Sequence, residues 1–232
     1  MTPHEPNESL LDNPIWNSLT TTHAHLATSH GLALRYPSDI GPLAAFKHAH
    51  NPEAWADLAP LIPSGDIAIL FLDHPATPPP NWRVLRSDHL VQMICRTVPE
   101  PPSLTDPILP LAPADHPDML ALATLTEPGP FRPNTPTLGG FLGIRVDGRL
   151  AAMAGRRLSP TGFAEISAVC THPDFRGRRY AQALVAAVAR AIHADGLTPF
   201  LTSLAINPAP IRVYEQVGFT LRRNFYLAVV KP

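Results

Sequence analysis

Cysteine is nearly absent: Cys95 and Cys170 are the two thiols in 232 residues. That is too few for a disulfide scaffold or for a zinc site of thiolates alone. It fits a reducing, cytoplasmic compartment with two buried thiols. Charge is also sparse, at 16% of residues, with 18 Lys+Arg against 19 Asp+Glu. Such a balance excludes a wholly basic nucleic-acid coat and a polyacidic tail. No stretch approaches the roughly 20 apolar residues that a bilayer crossing needs. The N-terminus lacks the basic start and apolar run of a signal peptide, so no membrane association is expected. Neither G-x-x-x-x-G-K-S/T nor G-x-G-x-x-G occurs, which removes a Walker loop and a dinucleotide fingerprint. Fixed-period repeats are absent too.

What the chain has in excess is proline, 29 residues against a usual share of about 5%. So many prolines impose short elements and rigid loops and exclude a coiled coil. Hydrophobic residues reach 45%, enough for a buried core. The densest proline stretch, Val98 to Pro107, divides the sequence. The expected organisation is an N-terminal α+β half over 1–97, a linker over 98–106 and a C-terminal domain over 107–232.

In the N-terminal half, Asp12-Asn13-Pro14 marks a helix start, and 52–60 reads as a second short helix. Ile67 to Leu72 is a continuous apolar run and reads as a buried strand, and Leu90 to Arg96 as another. The C-terminal half is sharper. Strands are expected at 108–111, 141–146, 149–156 and 163–171, with Asp147-Gly148 as the tight hairpin turn. A helix is expected over 115–125. An alanine-rich helix over 179–194 stops at Gly196. A strand over 199–206 leads to Asn207-Pro208, an N-cap followed by proline in the first turn, and a helix to Val217. Two short strands, 219–222 and 225–230, end the chain. The order from 108 is β-α-β-β-β-α-β-α-β-β.

The segment Glu165 to Gln182 carries the chemistry. A strand runs through a turn into a helix that opens at Arg176-Gly177-Arg178-Arg179-Tyr180-Ala181. A helix start offers unpaired N–H groups and partial positive charge, so it can hold a pyrophosphate. The other reading of the same residues is a solvated basic helix cap. A nucleic-acid role for the three arginines is not favoured, because nothing aromatic is interleaved with them.

This segment resembles motif A of the GNAT superfamily, the Gcn-type N-acetyltransferases, whose pattern is Gln/Arg-x-x-Gly-x-Gly/Ala. Arg176 takes the first position and Ala181 the last, while Arg179 replaces the central glycine. The stretch Asn207 to Phe219 resembles motif B, where Asn is followed seven residues on by Tyr and then by Gly-Phe. The turn is closest to the glycine N-acyltransferase branch, in which an altered GNAT-like half can precede the working domain. The resemblance covers roughly 107–232. It implies an α/β (α+β) GNAT fold with a mixed sheet of about seven strands flanked by helices, preceded by a smaller α+β half that would be a degenerate GNAT-like unit.

It further implies acyl transfer from acetyl-CoA, or another short acyl-CoA, to an amine by direct attack. The acceptor is expected to be a small molecule or an amino acid. Main-chain groups of Val169, Cys170 and Thr171 would meet the pantetheine arm. Those of Gly177, Arg178, Arg179, Tyr180, Ala181 and Gln182, with Arg176, would cradle the phosphates. Asn207 would touch the cofactor or act as a plain N-cap. Tyr214 is the candidate acid toward the CoA sulfur. Strand alternation places Glu165, Ser167, Val169 and Thr171 on one face, making Glu165 the candidate base; a surface or ion-paired Glu is the alternative. Arg179 is expected to sit in the helical first turn without strain. His172 braces the turn, and Cys170 lacks a partner for nucleophilic work. His23-x-His25 and His48-x-His50 lack a third ligand, so no metal is expected. A homodimer is compatible with the resemblance. The rival class is a non-catalytic CoA-binding or structural module.

Overall fold

In the computed structural model, which describes residues 6–48 and 51–232, Asn13 accepts a hydrogen bond from the Trp16 N–H at the start of α1 (Pro14–Leu19). Pro14 in the first turn costs nothing there, because its missing N–H would have had no helical partner. Three strands of three residues each follow: β1 (Thr28–His30), β2 (Ala33–Arg35) and β3 (Ala44–Phe46), paired antiparallel in that order. They are too short for alternation to show in the sequence. In α2 (Glu53–Leu58), Trp55 meets Phe46 and Trp82 edge-to-face, with ring centroids 5.0 and 5.1 Å away. Such pairs add to the area they bury.

The apolar run becomes β4 (Ala68–Leu72). β5 (Arg83–Ile94) is twelve residues long, where apolar patterning marks only its C-terminal part; residues 83–87 are exposed. Then come β6 (Ile108–Pro110), α3 (His116–Thr126), β7 (Phe141–Val146), β8 (Arg149–Arg156), β9 (Phe163–Thr171), α4 (Tyr180–Ala194), β10 (Thr198–Leu204), α5 (Pro208–Val217) and β11 (Thr220–Lys231). The two strands expected at the C-terminus are one. A register shift between Leu221 and Arg223 absorbs an extra residue, and β11 continues along β5.

Eight strands form one mixed sheet in the order β4-β11-β5-β10-β9-β8-β7-β6. This is the expected mixed sheet flanked by helices, with eight strands rather than about seven. The expected division into halves does not describe the sheet. β5, from the N-terminal half, lies between β10 and β11 and is antiparallel to both. The 98–106 stretch is pinned along α4: Arg190 donates to the Pro99 carbonyl at 3.2 Å, and the Tyr180 hydroxyl donates to Asp106.

Helices cover both faces. On one, α4 buries Leu184, Val185, Val188 and Ile192 against Ala152, Ile166 and Leu201, with Tyr214 and Val217 of α5 beside them. On the other, Ile15 and Leu19 of α1 pack with Tyr36 over Phe163 and Phe200, and α3 sets Met119 and Leu122 on Met153 and Cys170. Each such side chain contributes about 1.5–3 kcal/mol of apolar burial. Gly155 is required in β8, since a Cβ there would overlap the Phe141 ring.

Candidate active site

β9 and β10 run parallel and pair only from Phe163↔Thr198 to Ile166↔Leu201. Beyond that point β10 keeps to β5 through Leu204, while β9 keeps to β8 through Thr171. The two strands part, and the β10-facing backbone edge of residues 167–171 has no strand partner. A bulge sits where they part. Gly155 pairs with Ser167 and Met153 with Cys170, so Ala168 and Val169 together oppose Ala154. Ala168 has φ +51°, unusual for a residue with a side chain.

The bulge corrects the alternation expected from sequence. Ala164 and Ile166 face α4, and so does Val169, whereas Ala168 and Cys170 turn toward α3. Glu165 therefore does not share a face with Val169. Cys170 is buried, and desolvation pushes its thiol up to about 11, which leaves it protonated and inert as a nucleophile.

Two cavities meet where the strands part. The larger, of about 890 Å³, is lined by Val169, Cys170 and Thr171 and by every residue from Arg176 to Gln182. Its floor is the start of α4. The turn before it is braced as expected: His172 Nδ1 accepts from the Asp174 N–H at 3.2 Å. Phe175 is buried beneath the guanidinium groups of Arg149 and Arg178, each 5.3 Å from its ring centroid. Gly177 has φ +80°, with open space where a Cβ would be. Arg179 is the N-cap with φ +62°. It is not in the helical first turn, as expected from sequence, but in the left-handed region that glycine tolerates best. The N–H groups of Tyr180, Ala181 and Gln182 lack intrahelical partners and line this cavity. An open approach, free N–H donors and no acidic residue in the first turn of α4 fit an anionic phosphate group.

Tyr214 lines both cavities. It is buried, packs edge-on to Phe219 at 6.4 Å between centroids, and desolvation pushes its hydroxyl up to about 12. Asn207 precedes α5 but makes no side-chain cap bond, and it lines the second cavity. Plain capping does not account for it.

The second cavity, of about 670 Å³, shares Val169, Arg176, Pro210 and Tyr214 with the first. Leu43, Ile69, Phe71 and Leu90 of the N-terminal half form its apolar wall with Leu227 and Val229 of β11. Arg157, Thr202, Ser203 and Glu127 also line it. Glu165 does not. It is fully buried, and Arg157 holds both its oxygens, Nε to Oε2 at 2.7 Å and Nη2 to Oε1 at 2.9 Å. The Thr202 hydroxyl also donates to Oε1. Burial alone would lower the Arg157 pKa, but the Glu165 carboxylate outweighs it and raises it. Glu127 ends α3 in the left-handed region, φ +48°, and is the one carboxylate on either cavity wall among the described residues. Sequence reading missed Arg157, Glu127 and the β4 wall. Only an apolar run advertised β4, and nothing local linked it to the motifs a hundred residues away.

The His23 ring is buried, its Nδ1 lies 2.7 Å from the Tyr36 hydroxyl, and desolvation followed by repulsion from His25 lowers it to about 4. His50 lies outside the described residues. Among those described, no group of three metal-type side chains occurs, and no helix is long and apolar enough to cross a membrane.

A family model described as FR47-like protein matches residues 141–228. A GNAT-family protein from Novosphingobium aromaticivorans, described as an acetyltransferase, is 42% identical; the match covers 95% of this chain and 97% of that one, with a TM-score of 0.87. A GCN5-related N-acetyltransferase from Kribbella flavida has the same fold at 18% identity and a TM-score of 0.61, covering 93% and 95% of the two chains. No curated protein matches the chain.

Proposed function

The chain belongs to the GNAT family and is an N-acetyltransferase; from that premise we propose that its donor is acetyl-CoA, or another short acyl-CoA, and its acceptor a small-molecule amine. The observation that carries the reading is a pair of cavities that share Val169, Arg176 and Tyr214, one floored by the start of α4 and the other with one apolar wall facing Arg157. Arg176 to Gln182 bind the pyrophosphate, and the unpaired edge of Val169 to Thr171 aligns the pantetheine arm. Asn207, on the wall of the second cavity, contacts the cofactor from there.

Attack requires a free amine, because an aliphatic amine is largely protonated near neutral pH. Its nitrogen bonds to the acyl carbon, and the C–S bond breaks with its electron pair on sulfur. Tyr214, kept protonated by burial, gives its proton to that sulfur and regains one through solvent, replacing the proton the amine releases. The proton leaving nitrogen goes to Glu127 or to water that it orients. Glu165 is not assigned this role, since Arg157 and Thr202 already occupy its oxygens. Within the superfamily we place the chain near the glycine N-acyltransferase branch on the strength of the turn at Glu165 to Arg178. We also propose a cytoplasmic location.

Calorimetric titration with acetyl-CoA, followed by Tyr214→Phe kinetics, tests the reading. Micromolar binding is expected. The substitution should lower kcat by about 10²-fold, the usual worth of a positioned acid, with acetyl-CoA affinity nearly unchanged. Unchanged kcat would remove Tyr214 from the mechanism, and no binding at millimolar acetyl-CoA would overturn the donor assignment.

A further inference from the structure

Arg157 is 8% exposed, yet it lines the smaller cavity, while its partner Glu165 lies wholly behind it. Glu165 takes up Nε and Nη2, and Nη2 also reaches the Thr202 hydroxyl at 3.5 Å. Neither Glu165 nor Thr202 uses Nη1. A guanidinium stays charged at any ordinary pH, and its fork fits a carboxylate. The Glu165 pair fixes its orientation, so little freedom remains to be lost when a second anion arrives.

The wall beside it is apolar. Phe71 and Ile69 pair across strands with Leu227 and Val229, which sets all four on one face. The Phe71 ring lies 5.9 Å from the Arg157 guanidinium carbon. A polycation finds a single carboxylate here, Glu127. A molecule with an amine, an anion and a hydrocarbon body finds a partner for each.

Resting on the acyltransferase reading above, we propose that the acceptor is an α-amino acid with an apolar side chain, its carboxylate received by Arg157 and its side chain by the Phe71 wall. The cavity volume of about 670 Å³ suits a ligand of this size.

The test compares acetyl transfer to L-phenylalanine, L-phenylalaninamide and spermidine by release of the CoA thiol. The amide is the stringent control, because its amine is less basic and more of it is free at neutral pH. A preference for the acid therefore cannot come from amine reactivity. The expected kcat/KM for phenylalanine exceeds that of the amide by at least about tenfold, the factor one charge-assisted hydrogen bond carries, and spermidine is the poorest of the three. A double variant, Arg157→Met with Glu165→Met, removes the pair without orphaning a buried charge. In it the acid-to-amide ratio should fall to one or below, mainly through KM for phenylalanine.

Equal use of acid and amide by the unaltered enzyme, a ratio that survives the double variant, or preferred use of spermidine would each overturn the acceptor assignment. So would bound acetyl-CoA with no transfer to any of the three, and the donor reading would then stand alone. Failure to bind acetyl-CoA at all would overturn the donor reading and this proposal with it.

Discussion

Arg179 holds a φ of +62° at the N-cap of α4, where a Cβ crowds the following carbonyl. Relative to glycine this costs about 1 kcal/mol. Arg179→Gly should therefore raise stability by about that amount and move Tm up by about 2–4 °C. Scanning calorimetry checks it, and a lowered Tm would mean that the side chain contributes more than the strain removes. Tyr214 makes a prediction of a different kind. Because burial pushes its hydroxyl up to about 12, its loss of a proton should not limit kcat between pH 7 and 10. A kcat profile that falls near pH 9 and loses that fall in Tyr214→Phe would contradict the assignment. The positions of both residues were legible in the sequence through the motifs around them, but the left-handed backbone of Arg179 was not. Of the two readings of Glu165, the ion-paired one is what the structure has; the reading as base rested on strict alternation, which fails at the Ala168 bulge.

Among the elements, β7, β8, β9 and α5 lie where the sequence puts them, since each has its own turn or cap signal at both ends. β5 was mostly invisible, because its first half is exposed and its pairing is with strands more than a hundred residues later. β8 also shows how tightly the sheet is built. A methyl added by Gly155→Ala would meet the Phe141 ring, and overpacking of this kind costs about 1–3 kcal/mol. Chemical denaturation should show a lower midpoint with an unchanged slope. An unaltered midpoint would mean that Phe141 and the neighbouring α3 yield without strain.

Across the whole molecule, Asp66 ties the loop after α3 to the N-terminal half. Arg132 Nη2 donates to its Oδ1 at 2.7 Å and Ser38 to its Oδ2 at 2.8 Å, with Arg35 also on Oδ2. Burial would raise the Asp66 pKa, but hydrogen bonds from Arg132, the Ile67 N–H, Ser38 and Arg35 outweigh it and hold the carboxyl well below the usual range. A carboxylate depressed in the folded state stabilises above its unfolded pKa of about 4 and loses that contribution as pH falls further. The urea midpoint should thus hold steady from pH 7 to 5 and decline below about pH 4. Asp66→Asn should flatten that decline and cost about 3 kcal/mol at pH 7, because it leaves the buried Arg35 without its carboxylate. An equally steep acid decline in the variant would place its origin elsewhere.

The position of β5 also sets a clock. Its two neighbours, β10 and β11, follow it by more than a hundred residues, so both of its edges stay open while that length of chain is added. At ordinary elongation rates that is roughly five to thirty seconds. During this interval the strands that cover Leu90, Met93 and Ile94 in the folded sheet are not yet available to them. Its yield in a cell should accordingly depend on chaperone supply and translation speed more than the stability of the finished enzyme would suggest.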